Sequence, residues 1–135
     1  MDCVFCKVVS GDIPGKVVFE NDKALGILDV HPIALGHTMV IPKVHVSSIM
    51  NLPEDGIELV FKAVKKVAEV LNDKLVPDGF TYGINQGSAS GQTVDHLHIH
   101  IVPRWNDDGG MTFHRIVNKP PKESLDEVYK KLKDK

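Results

Sequence analysis

At 135 residues, 42% of them hydrophobic and 25% charged, the chain has the size and makeup of an ordinary globular domain that buries its core without disulfides. A formal net charge of −2 and a pI near 6.4 give no footing for binding nucleic acid or an anionic membrane. No apolar run approaches the roughly 20 residues of a membrane span, and Met1-Asp2-Cys3 does not open a signal peptide, so a cytoplasmic protein is expected.

In chain order, Cys3 to Val9 reads as a short helical turn, stopped by the turn-forming "SGDIPG" of Ser10 to Gly15. "KVVFE" (Lys16 to Glu20), a turn at Asn21-Asp22 and "ALGILDV" (Ala24 to Val30) predict a strand hairpin. "HPIALGH" is a loop, and "HTMVIP" (His37 to Pro42) a third strand closed by its proline. Between Glu54 and Leu75 the apolar positions Ile57, Val60, Val64, Val67, Leu71 and Leu75 recur at three- and four-residue spacing, the stripe of an amphipathic helix packed on a core. Pro53 suits its first turn, and Pro77 with Gly79 ends it. "FTYGIN" (Phe80 to Asn85) is a fourth strand, "QGSASGQT" a small-residue loop, and His96 to Pro103 a fifth strand. Arg104 to Pro121 is irregular, and a short helix covers Ser124 to Leu132, its clustered lysines interleaved with acids as on a solvated face. Strands grouped around one long helix predict an α+β fold: a five-stranded, mostly antiparallel sheet with short terminal helices. One domain over 1–135 is expected, with a core at 3–104 and a tail at 105–135.

Chemistry concentrates in "DHLHIH", Asp95 to His100. On a strand His96, His98 and His100 share one face, spaced about 6.5 Å apart, while Leu97, Ile99 and Ile101 take the other. With an ordinary pKa near 6.5, neutral histidine is able to attack phosphorus, and a protonated neighbour steadies the developing charge. The preceding "NQGSASGQT" offers backbone N–H groups and the hydroxyls of Ser88, Ser90 and Thr93 to an anion, or is an ordinary flexible turn. A third reading gives the imidazoles to a metal. Cys3 and Cys6 stand at zinc spacing, so one histidine could join them in a closed structural site, unless the pair is two small hydrophobes or a redox couple. Asp29 could accept from vicinal sugar hydroxyls or cap the turn at "DVHP". Phe5, Val8, Ile13, Ile27 and Val30 could form a slot for a base or simply belong to the core.

"HLHIHIV" (His96 to Val102) matches the signature of the histidine triad superfamily. With "CVFCKVVSGDIPGKVVFEND", "LDVHPIALGHTMVIPKVHV" and "NQGSASGQTVDHLHIHIVPR", the chain up to about Arg104 resembles its Hint branch. The resemblance implies a nucleotide hydrolase or transferase acting at the α-phosphate of purine nucleoside phosphoramidates, with dinucleoside polyphosphates or plain nucleotide binding as alternatives. His98 would be the nucleophile, His100 a phosphate contact and His37 a hydrogen-bonding member of the relay. Gly91, Gln92 and Thr93 would hold phosphate oxygens, Thr93 also helping to protonate the leaving amine, while Asn85 lines the sugar-phosphate site and Asp29 takes the ribose hydroxyls. The same resemblance implies one structural zinc on Cys3, Cys6, His45 and His96, no catalytic metal, and a homodimer with a continuous sheet. From Trp105 through "GGMTFHRIV" the chain departs from the Hint pattern, and Ile27 stands where an aromatic residue is common.

Overall fold

The structure, a computed structural model, describes residues 2–134. Its chain order is α1 (Val4–Ser10), β1 (Val17–Glu20), β2 (Ala24–Leu28), β3 (Thr38–Pro42), α2 (Glu54–Leu75), β4 (Gly79–Gly83), β5 (Ile99–Arg104) and α3 (Leu125–Lys133), with short 3-10 turns at Ile49–Asn51, Ser88–Ser90 and Phe113–Arg115. The strands form one sheet in the order β1-β2-β3-β5-β4, antiparallel throughout, so the expected α+β architecture stands.

The helix α2 lies across one face of this sheet. Val60, Ala63, Val67 and Leu71 on the helix meet Ala24, Val40, Leu97, Ile99 and Ile101, all buried, and each of the larger aliphatic side chains contributes roughly 1.5–3 kcal/mol by leaving water. Gly26 on β2 is one place where the helix comes close, since a Cβ there would sit 2.5 Å from Val67 Cγ2. The contacting stripe is rotated from the predicted one. Gly56 and Ala63 are buried, whereas Ile57 is 38% exposed and Val64 lies at the margin. The helix also ends differently: Val76 adopts the left-handed conformation (φ 50°), with its N–H on the Asn72 carbonyl, and Gly79 opens β4 opposite Arg104. A β-branched residue in that region carries strain on the order of 1–2 kcal/mol.

On the other face Leu25, Ile27, Met39 and Ile41 pack beneath Phe5 of α1. The sulfur of Cys3 caps α1 by accepting from the Cys6 N–H (3.4 Å), and Gly11 ends it in the left-handed region (φ 87°) with its N–H on Val8 O. In this way the two cysteines come to stand side by side over the sheet.

The fifth strand is shorter than predicted, since its ladder begins at Ile99 and leaves His96 to His98 outside it. Pro42 on β3 has no N–H to donate, and its carbonyl accepts from His96 Nε2 (2.9 Å) instead. Leu97 N–H turns to Val46 O (2.7 Å). The alternation survives: Leu97, Ile99 and Ile101 join the α2 core, and the histidines face α1 and the cleft beside it. At the far end, Ser124 and Glu127 cap α3 reciprocally.

Candidate functional site

Two histidine-built centres sit along the same stretch of chain. At the first, Cys3, Cys6, His45 and His96 present one ligand atom each, all within 4.8 Å of one another. His45 Nδ1 and His96 Nδ1 are 3.2 Å apart, Cys3 Sγ lies 3.4 Å from His96 Nδ1, and Cys6 Sγ lies 3.3 Å from His45 Nδ1 and 3.6 Å from His96 Nδ1. Tetrahedral zinc, with bonds of about 2.3 Å to sulfur and 2.05 Å to nitrogen, requires edges of about 3.3–3.8 Å, and these four of the six pairs, at 3.2–3.6 Å, stand close to that spacing. His96 gives its Nε2–H to the Pro42 carbonyl, which turns the Nδ1 lone pair toward the sulfurs in the manner of an outer-shell partner. Burial, and next the adjoining Cys3 sulfur, push the Cys6 thiol up from its ordinary value, so a cation is what would hold it as a thiolate. The group is able to hold a metal ion, and its donor set of two sulfurs and two imidazoles suits a soft divalent one.

At the second centre, hydrogen bonds assign each ring nitrogen. Ile33 N–H donates to His37 Nδ1 (3.2 Å), which puts the His37 proton on Nε2. That proton goes to His100 Nδ1 at 2.9 Å, so neutral His100 carries its own on Nε2. His98 donates from Nδ1 to the His96 carbonyl (2.7 Å), leaving its Nε2 with a lone pair. Burial, and next the charges of His98 and His37, lower His100 to about 4 against the opposing pull of Asp29. Burial also lowers His37, again against Asp29. His37 and His100 are therefore neutral near pH 7.

Asp29 does two things at once. Its Oδ1 caps the turn by accepting from His31 N–H (2.8 Å), and its Oδ2 faces the relay, 3.4 Å from His37 Nε2 and 4.0 Å from His100 Nδ1. These three side chains also cluster closely enough to hold an ion, but the 2.9 Å contact between His37 and His100 is that of a direct hydrogen bond between the rings.

Above them opens a cleft of 670 Å³. Of the residues singled out in the sequence, Phe5, Asp29, Val30, His37, Asn85, Gly91, Thr93, His98 and His100 line it. Val8, Ile13, Ile27 and Gln92 do not. Ile27 is 4% exposed and belongs to the core beneath Phe5. Gln92 braces the small-residue loop from within, accepting from Gly87 N–H (2.8 Å) and donating to Ser47 O and Val94 O. Ser90 is likewise turned inward, to Gln86 O and Gly87 O. Gly91, in the left-handed region (φ 99°), shapes the rim beside Asn85. Sequence reasoning passed over His31, Ile33, Met39, Thr81 and Val102, which also line the cleft. Thr81 and Val102 carried a signal, since both lie on the imidazole face by strand alternation and register. His31 and Ile33 sit in a loop whose course no periodicity reveals.

The fold and its two centres define an α+β protein with an imidazole relay in an open cleft and a closed cysteine-histidine cluster beside it. The family model described as HIT domain matches residues 10–107, and the chain belongs to the HIT family. It is 42% identical over 132 residues to an uncharacterized HIT-like protein of Methanocaldococcus jannaschii, covering 97% of this chain and 98% of that one. It is 32% identical to an adenosine 5′-monophosphoramidase of Candida albicans, over 98% of this chain and 90% of that one. Among solved structures it resembles a zinc-bound histidine triad family protein from Mycobacterium smegmatis, with a TM-score of 0.75, 40% identity and coverage of 84% and 81%. Among the described residues, no helix is long and apolar enough to cross a membrane.

Proposed function

We propose that the protein hydrolyses purine nucleoside phosphoramidates at the α-phosphorus through a nucleotidyl-histidine on His98. The observation that carries this reading is the tautomer assignment. His98 keeps an unprotonated Nε2 in the cleft while His100, two residues on, holds a proton on Nε2. The similarity to an adenosine 5′-monophosphoramidase supports the substrate class.

In this reading the base rests near Phe5 and Val30 and the ribose hydroxyls reach Asp29, while Gly91 and Asn85 approach the phosphoryl oxygens. His98 Nε2 gives its lone pair to phosphorus. The P–N bond breaks, its electron pair leaves with nitrogen, and a proton passed by the Thr93 hydroxyl completes the amine. His100 Nε2–H donates to a phosphoryl oxygen as charge develops there. His37 keeps His100 in that tautomer, and Asp29 Oδ2 opposes the positive charge that grows on the rings. Water then attacks phosphorus and restores His98.

Cys3, Cys6, His45 and His96 would hold a structural zinc, a reading the zinc-bound relative supports. Bound there, the ion supplies cross-linking and no open coordination position. A homodimer is part of the same reading: β4 is a sheet edge, and beside it Phe61, Val64, Phe80 and Tyr82 line an apolar groove of 890 Å³ that a second copy would cover.

The test is hydrolysis of adenosine 5′-phosphoramidate by the wild type and by His98→Ala, both checked for folding by circular dichroism. Turnover by the wild type alone, with AMP trapped on the protein in a quench, supports the reading. Turnover by neither, with AMP bound by both, overturns it in favour of a nucleotide-binding protein.

A further inference from the structure

The stretch after β5, which no element claimed in the sequence, is a built wall. Arg104 ends β5 on the same face as His100 and grips Asp108 with two nearly parallel bonds, Nε to Oδ2 at 2.7 Å and Nη2 to Oδ1 at 3.1 Å. Its remaining amino group donates to Thr81 Oγ1 and to the Met111 carbonyl, each at 3.0 Å. Asp108 in turn accepts from Trp105 N–H and Gly110 N–H. Gly109 takes a positive φ of 72°, and a Cβ at Gly110 would come within 2.6 Å of Arg104 Nη2, so the paired glycines are what lets the chain wrap the ion pair. The wrap delivers Met111 to a position facing the loop at Ile33 and Ala34.

Between them lies a chamber of 210 Å³. It shares Ile33, Thr81 and Val102 with the main cleft and so continues it along β5, one strand repeat of about 6.6 Å beyond His100. Phe5 packs on the opposite side of the row, its ring 5.1 Å from that of His98. A phosphoryl group at His98 and His100 therefore has an apolar ring on one side and this chamber on the other.

We propose that the chamber receives the leaving group, and that its chemistry selects a short uncharged alkyl amine over ammonia and over a second phosphate. Ile33, Ala34, Val102 and Met111 supply apolar walls. The guanidinium beside them is committed to Asp108, Thr81 and a carbonyl, which leaves no bidentate fork for a polyphosphate. The hydrogen bonds from Arg104, then that from Gly110, hold the Asp108 carboxyl well below the usual range, so the ion pair stays intact and adds no net charge to that wall. At 210 Å³ the space is below the roughly 300–1,000 Å³ of sites for whole drug-sized ligands, which suits a side group of a few carbons. On cleavage the P–N electron pair departs with nitrogen, which gains one proton and enters the chamber as R–NH2, while the nucleotidyl group stays on His98 until water removes it.

The inference rests on the phosphoramidase reading, and the experiment separates the two. The full-length wild type, Ala34→Phe, which fills the chamber, and Met111→Gly, which opens it, are each assayed with adenosine 5′-phosphoramidate, its N-butyl derivative and diadenosine tetraphosphate, after circular dichroism confirms folding. The expected result is a kcat/KM about tenfold or more higher for the butyl compound than for the unsubstituted one in the wild type, as burial of a four-carbon chain allows. Both variants bring that ratio close to one, and diadenosine tetraphosphate is the poorest substrate. Turnover of both phosphoramidates with a ratio that neither variant changes overturns the chamber while leaving the phosphoramidase reading in place. Faster turnover of the tetraphosphate overturns it as well. Turnover of neither phosphoramidate by the wild type overturns both.

Discussion

His96 and His100 are four residues apart in one run of sequence, share a face, and are surrounded by different chemistry. His96 is completely buried, gives one proton to a backbone carbonyl and turns its other nitrogen to two sulfurs and an imidazole. His100 is 23% exposed, takes its hydrogen bond from another imidazole and lines an open cleft. The contrast teaches that the partner of the far ring nitrogen, more than the residue type, sets what an imidazole does. A carbonyl partner, which only accepts, leaves a lone pair for a cation; a donating imidazole leaves a proton for an anion.

Breaking the open centre carries the largest expected effect. His98→Ala is expected to lower turnover of adenosine 5′-phosphoramidate by about 10⁴-fold or more, as loss of a covalent nucleophile does elsewhere; steady-state kinetics on the folded variant checks it. Removing the relay donor with His37→Ala is expected to cost about 10²-fold in kcat, the range of one proton-transfer contact. His37→Gln, which still offers an N–H to His100, should recover part of that loss.

Breaking the closed centre should move stability more than chemistry. Cys3→Ser is expected to abolish binding of one zinc per chain, read by elemental analysis, and to lower the unfolding midpoint by roughly 10 °C, as a loss of about 3 kcal/mol does in a chain of this size. At temperatures where that variant remains folded, turnover should persist. Loss of all turnover in a folded, zinc-free protein would sink the division of labour between the two centres.

Acid sharpens the same comparison. His100 has a folded pKa of about 4 against 6.5 for the free side chain, so the unfolded chain binds the extra proton first. Its contribution to stability is complete above pH 6.5 and declines as pH falls toward 4, a window visible in denaturant midpoints. Imidazole nitrogen shifts should show His100 neutral down to about pH 4. The smallest effect lies outside both centres: Val76→Gly relieves the left-handed strain at the end of α2 and should stabilise by about 1 kcal/mol with no change in turnover.

The regular elements were legible because their signals are local. The bounds of α2, Glu54 to Leu75, coincide with the periodic run, and the first three strands fall within the alternating apolar segments. The same locality misled at Ile57, where helical spacing is right but the buried face runs through Gly56 and Ala63 instead. It misled again at His96 and His98, whose alternation is strand-like although the missing N–H of Pro42, on another strand, stops the ladder before them.

By itself the sequence determined the element types, the segregation of imidazoles from aliphatic residues along residues 96–101, and the presence of two thiols at ligand spacing, because each depends on residues a few positions apart. Only the tertiary structure decided which histidine meets which partner, that Gln92 braces a loop, that Ile27 is core, and that a double glycine brings Met111 and Ala34 to line one recess. Those outcomes turn on contacts between residues as far apart as Cys3 and His96. They form only when the packing of α1 and α2 on opposite faces of the sheet brings such groups within the few ångströms over which hydrogen bonds and metal ligation act.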